Sequence, residues 1–266
     1  MGNYKSRPSV SCSDELKKKI SEGYSVLRSR LNDDLKPRTD TWSPLQHAAF
    51  RGDYEHLKDN FKPESFLDRS EHGLTLLHLA CSASAKSNNN HIAWLLEQKP
   101  SSAFLVSTSY AQASTSGSSV DSSSEDVGGV GVSYVNLLSR NGFTALHLAV
   151  HRGDLALVDL LLKNGAEPNV AGPNKLPPVH VAALGGNVEV LERLKAAGAD
   201  AEAKDWVQFS PLHVAAYSGH EKVIKYLIDC SVDLNQSGSV QDRALHLASS
   251  KGFAPIVKLL LQHGAN

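Results

Sequence analysis

The chain has 266 residues, 41% of them hydrophobic and 21% charged, a balance ordinary for a soluble globular protein. A formal net charge of −1 argues against the concentrated basic face that nucleic-acid binding needs, and no run approaches the roughly 20 apolar residues of a membrane span. The three cysteines, Cys12, Cys81 and Cys230, lie too far apart to build a disulfide framework or a metal-ligand spacing, which suits a reducing setting in the cytoplasm or nucleus.

Residues 1–10 read as a flexible N-terminus, polar and without the apolar stretch of a secretory signal. Met1-Gly2-Asn3-Tyr4-Lys5-Ser6 matches the pattern for acylation of Gly2. One acyl chain binds membranes only marginally, so membrane association would depend on that modification. Residues 11–39 carry an amphipathic helix. Ser11 and Asp14 have the spacing of a helix cap and its partner. Leu16, Ile20, Tyr24, Leu27, Leu31 and Leu35 then fall on one helical stripe. Two roles stay open for this helix: a cap packed over the first repeat, or a coiled-coil segment for self-association through residues 11–35. Gly23, a weak helix former, counts against both.

From residue 40 a repeat takes over. His147, His180, His213 and His246 are 33 residues apart, and so are Gly153, Gly186, Gly219 and Gly252. The histidines sit in Thr144-Ala145-Leu146-His147, Pro177-Pro178-Val179-His180, Ser210-Pro211-Leu212-His213 and Arg243-Ala244-Leu245-His246. Two earlier copies read Ser43-Pro44-Leu45-Gln46 and Thr75-Leu76-Leu77-His78. A Ser or Thr ahead of a helix accepts a bond from a first-turn N–H, worth about 1 kcal/mol. Proline is tolerated at the first helical position, and the phased glycines break the helix. A second helix follows, with apolar pairs such as Leu160-Leu161 and Val190-Leu191, and stops at Gly165, Gly198 and Gly264. The stretch from that stop to the next cap is expected to form a hairpin finger, with its tip at Asn141-Gly142 before the third repeat.

These segments resemble the T-P-L-H-x-A repeat of the ankyrin family, in six copies. The expected fold is all-α: an ankyrin-repeat solenoid of six helix-turn-helix repeats with β-hairpin fingers, preceded by an N-terminal helix. Each unit is too small to bury its own apolar face, so stability comes from stacking neighbours. Repeats one and two occupy residues 40–98, and repeats three to six occupy residues 135–266.

The period breaks once, because His78 and His147 are 69 residues apart. The excess, residues 99–134, is Ser- and Gly-rich and too poor in apolar residues to order itself. It is read as a disordered insert. Ser122, Ser123 and Ser124 beside Glu125 and Asp126 are candidate phosphorylation sites. A degenerate seventh repeat would also account for the length, but no L-H-x-A echo occurs near residue 111.

A narrower resemblance lies in Met1-Gly2-Asn3-Tyr4-Lys5-Ser6-Arg7-Pro8, Arg140-Asn141-Gly142-Phe143-Thr144 and Ser210-Pro211-Leu212-His213. It is similar to the cardiac troponin-I-interacting kinases, tyrosine-kinase-like proteins with an N-terminal ankyrin array, over all but the insert. The resemblance implies a regulatory or substrate-docking array, an N-terminal coiled coil and a sarcomeric partner such as troponin I. The chain itself carries no kinase motif. Gly128-Gly129-Val130-Gly131 lacks the phosphate-loop spacing, and His151-Arg152-Gly153-Asp154 falls at a helix-breaking glycine. No catalytic residue and no cofactor are therefore expected. The apolar Ile256, Leu259, Leu260 and Leu261 of the last repeat read as an internal repeat whose neighbour is missing.

The repeated histidines cannot share one metal ion. They sit one repeat apart, about 8–10 Å, whereas ligands lie near 2 Å from a metal. They are expected to bridge backbone groups between repeats. Binding of protein partners is the remaining function, on the fingers and the concave helix face. The candidate partner-binding residues are Arg140, Asn174, Lys175, Trp206 and Val207. Trp206 stands out because tryptophan is enriched where binding energy concentrates.

Overall fold

A computed structural model describes residues 14–35, 39, 41–71, 73–82, 89–98, 133–239 and 241–266. Gly2, Ser122, Ser123 and Ser124 lie outside the described residues. Among the described residues helix α1 (Asp14–Leu35) is followed by six helix pairs: α2 (Pro44–Arg51) with α3 (Tyr54–Asn60), α4 (Leu76–Ser82) with α5 (Asn90–Glu97), α6 (Ala145–Arg152) with α7 (Leu155–Lys163), α8 (Pro178–Gly185) with α9 (Val188–Ala196), α10 (Pro211–Ser218) with α11 (Glu221–Asp229), and α12 (Ala244–Ser250) with α13 (Ala254–Gln262). The first helices of the pairs stack on one another as an inner layer, and the second helices form the outer layer.

Helices of seven to nine residues are too short to persist alone, so caps and packing must hold them. At the start of α6 the Thr144 hydroxyl accepts the His147 N–H, while His147 Nδ1 accepts the Thr144 N–H at 3.2 Å. Ser43 and Gln46 do the same for α2, glutamine standing where later repeats have histidine. At the other end of α6, Gly153 adopts φ 70°, a left-handed conformation that costs a β-carbon-bearing residue energy. Asp154 then caps α7 by accepting the Leu157 N–H. The core is the expected aliphatic one: Leu146, Leu148, Ala149, Val181, Ala182, Val214 and Ala215 are all buried.

The histidines bridge repeats as expected. The Nε2 atoms of His78, His147, His180 and His213 lie 2.9, 3.0, 2.9 and 3.2 Å from the carbonyls of Phe143, Leu176, Phe209 and Asp242, each at the base of the following finger. A carbonyl only accepts, so Nε2 carries the proton and Nδ1 is left to accept from the cap. Burial holds these four imidazoles down at about 4, against an ordinary value of 6.5. Pro177 is the exception among the caps. It has neither a hydroxyl nor an N–H, and His180 Nδ1 is buried without a partner.

One expectation is corrected. No strand occurs among the described residues: each finger is a tight loop closed by one backbone bond, such as Ser139 N–H to Phe143 O at 2.7 Å or Asp205 N–H to Phe209 O at 3.0 Å. Three residues between the two bonded positions leave no length for a ladder. Across the 69-residue break α4 packs directly on α6, and His78 bonds finger three as any histidine bonds the next finger. Residues 133–136 join the second and third repeats to each other. Tyr134 is buried, donates to Leu95 O at 2.9 Å, and its ring lies 4.7 Å from that of Phe66.

Candidate protein-interaction surface

Each finger begins at a position that recurs every 33 residues: Ser139, Gly172, Asp205, Gly238. Its residue decides what the finger offers to the concave side. Ser139 accepts the Phe143 N–H and still has a hydroxyl proton to donate. Asp205 Oδ1 accepts the N–H groups of Val207 and Phe209 at 3.0 and 2.8 Å, leaving Oδ2 open to a further donor.

Helix α1 meets both. It lies along the inner helices and fingers of repeats two to five. Tyr24 donates its hydroxyl to Asp205 Oδ2 at 2.7 Å. Ten residues on, Asp34 accepts the Ser139 hydroxyl at 2.7 Å and the Asn141 amide at 2.6 Å. Arg28 donates to Leu184 O, Asn32 Oδ1 lies 3.2 Å from His151 Nε2, and Ser82 donates to Asp34 O. Leu27 and Leu31 are fully buried between these polar ends, and Leu35 is half-buried. The stripe read from the sequence is thus the one that packs, over its described part. Asp34, which sequence reading passed over, is buried with it.

Burial raises the Tyr24 phenol well above its usual range, and the Asp205 carboxylate beside it adds to the rise. Burial also lifts the Asp205 carboxyl, while its three hydrogen bonds pull the other way. All three partners are donors, which is the arrangement a carboxylate requires.

The five candidate contact residues all lie at fingertips. Arg140, Asn174, Lys175 and Trp206 are exposed. Val207 is buried, and its carbonyl accepts the Ser239 N–H of the next finger at 3.1 Å. Its side chain therefore serves the stack. Trp206 donates its N–H to Asn174 O at 3.1 Å, and its ring lies against Gly23 of α1. Arg140 reaches Glu71 O, so successive fingertips are tied edge to edge.

A second ladder runs along the opposite edge and was missed in the sequence, although its period is visible there. Asn136 donates to Gly165 O and accepts the Glu167 N–H. Asn169 does the same with Gly198 and Asp200, and Asn235 with Gly264 and Asn266. The fourth member of the 33-residue series is Glu202, which accepts the Asp233 N–H.

Among the described residues no group of His, Cys, Asp or Glu could hold a metal ion, and no helix is long and apolar enough to cross a membrane.

Comparison with known proteins agrees with this architecture. A family model described as ankyrin repeats (3 copies) matches residues 128–205 and 179–266, together more than half of the chain. The chain is similar to the serine/threonine-protein kinase TNNI3K of Mus musculus, 40% identical over 172 residues, which are 65% of this chain and 16% of that kinase. The kinase of the same name from Homo sapiens is 38% identical over 167 residues, 63% of this chain and 15% of the kinase. The chain thus spans a small part of the relatives it matches, and it matches them as an ankyrin region. With the bridging histidines, the phased glycines and the stacked helix pairs, these matches establish that the chain belongs to the ankyrin-repeat family.

Proposed function

We propose that this chain is a protein-recognition array that docks or positions partners for a protein kinase, as the similarity to the TNNI3K kinases suggests. The observation that carries this reading is the row of fingertips. Arg140, Asn174, Lys175 and Trp206 are exposed on a frame whose repeated bonds are made by backbone and histidine, although Arg140 also reaches Glu71 O and the Trp206 ring lies against Gly23. Arg140 and Lys175 give the row two cations, which suits an acidic stretch on a partner. The relatives' similarity makes a sarcomeric protein such as troponin I the first partner to try, in the cytoplasm or nucleus.

The test is affinity capture from muscle lysate with the wild-type chain and with a variant carrying Arg140→Glu and Lys175→Glu. Both positions are exposed, and the one bond lost, from Arg140 to Glu71 O, is long and solvent-exposed, so the variant should melt close to the wild type. The expected result is a partner, identified by mass spectrometry and confirmed with purified components, that the variant loses at least tenfold in affinity. A partner held equally by both proteins would remove the fingertips from the reading.

A further inference from the structure

We propose that the concave groove over repeats three to five is a binding site for an amphipathic helix of another protein, and that α1 is its built-in occupant. The inference extends the protein-recognition reading above by naming the surface and the chemistry of the ligand.

The groove is read in two polar steps with an apolar middle. At finger five, Asp205 Oδ2 is an acceptor that needs a donor, and Tyr24 supplies it. At finger three, the Ser139 hydroxyl and Asn141 amide are donors that need an acceptor, and Asp34 supplies it. The spacing is matched. Ten residues of helix rise about 15 Å, close to the span of two stacked repeats at about 8–10 Å each. Between them Leu27 and Leu31 fill the apolar floor. The recognised pattern is therefore Tyr-x2-Leu-x3-Leu-x2-Asp, with its N-terminal end at repeat five. Reversing the helix would set carboxylate against carboxylate at Asp205, so the polarity is specified as well.

The fit of α1 is incomplete along its middle. Beside its central turns a cleft of about 290 Å³ stays open between α1 and the inner helices, lined by Ser21, Tyr24, Ser25, Arg28, Leu184, Tyr217 and Ser218. The Ser218 hydroxyl there is buried without a partner. The two serines of α1 leave unfilled a space that larger side chains would occupy. An outside helix with Leu or Met at the places of Ser21 and Ser25 buries more apolar surface than α1 does. It can therefore displace α1, although α1 has the advantage of its short tether to α2. The fingertip row and this groove are contiguous, since Trp206 borders both through its contact with Gly23.

The test uses the full chain with a protease site inserted after Leu35 and a fluorescent peptide of residues 12–37. The intact protein should bind the peptide weakly. Once the linker is cut and the freed segment is removed by dilution and gel filtration, binding should strengthen at least tenfold. A Ser25→Leu peptide should bind about tenfold tighter than the wild-type peptide, and an Asp34→Ala peptide at least tenfold more weakly. Equal binding before and after the cut overturns the proposal. So does absence of binding to a cut protein whose melting remains cooperative, and so does loss of cooperative melting on removal of the segment, which would make α1 part of the core. A peptide-dependent shift of the protein to a dimer by light scattering would mean that a second copy is the occupant, and also overturns it. None of these outcomes depends on capture from lysate, so the fingertip reading stands or falls separately.

Discussion

Gly23 lies against the indole of Trp206 so closely that a β-carbon on the glycine would sit 2.6 Å from Cζ2 of the ring. In an exposed helix, Gly→Ala adds about 1 kcal/mol of stability. Here the added methyl must push the ring aside, at a cost of about 1–3 kcal/mol if the ring cannot yield. Gly23→Ala is therefore expected to be neutral or destabilising in the wild type and stabilising by up to about 1 kcal/mol once Trp206→Ala has removed the ring. Denaturant melts of the four proteins of this double-mutant cycle measure the coupling. Equal effects of Gly23→Ala in both backgrounds would mean that the contact does not exist in solution.

Pro177→Thr should stabilise the protein. Threonine restores the hydroxyl and N–H that Thr144 offers to His147 and gives the buried His180 Nδ1 its missing partner. An unsatisfied buried polar atom costs about 1–3 kcal/mol. Giving up the proline costs about 0.4–1 kcal/mol through the unfolded chain. The expected net gain is about 1 kcal/mol by chemical denaturation, and a loss of stability would contradict the account of the cap.

The bridging histidines set an acid limit. His78, His147, His180 and His213 are held near 4 in the folded protein, below the ordinary 6.5 of the unfolded chain. Between those values the unfolded chain binds more protons, so stability falls as pH is lowered from about 6.5 to about 4 and levels off below. Each histidine contributes up to about 1.4 kcal/mol per pH unit in that window. Thermal midpoints at pH 7, 6 and 5 should drop with growing steps. A midpoint unchanged from pH 7 to pH 5 would falsify the neutral, buried assignment.

The asparagine ladder should matter locally. Asn169→Ala removes two hydrogen bonds between exposed loops, to Gly198 O and from the Asp200 N–H. At about 0.5–1.5 kcal/mol net per bond, global stability should fall by about 1–2 kcal/mol. Hydrogen exchange should speed up first at Asp200, whose N–H loses its acceptor. Uniform acceleration along the array would indicate a role beyond this joint.

Much of this molecule could be read from one chain of letters because an ankyrin array is assembled from local units. The cap at Thr144, the histidine three residues on and the glycine at residue 153 act within one repeat, and the constant period copies the contact between neighbours. Even the missed series Asn136, Asn169, Glu202 and Asn235 shows the same period. Across the insert the sequence offered the order of repeats two and three but not their contact, since sequence distance says nothing about whether two ends meet.

The period determined the helix pairs, the bridging histidines and the stacking order, for each depends on residues within one repeat of each other. Only the tertiary structure decided what α1 does. Its apolar stripe fits a cap, a coiled coil or a groove equally well, because burial of Leu27 and Leu31 requires an apolar surface and does not specify which. The choice rests on Tyr24 with Asp205 and Asp34 with Ser139, pairs separated by 181 and 105 residues. Such pairs form only after the repeats have stacked, and no periodicity links their positions. The same contact explains Gly23, a poor helix residue by its sequence and a necessary gap beneath Trp206 in the fold.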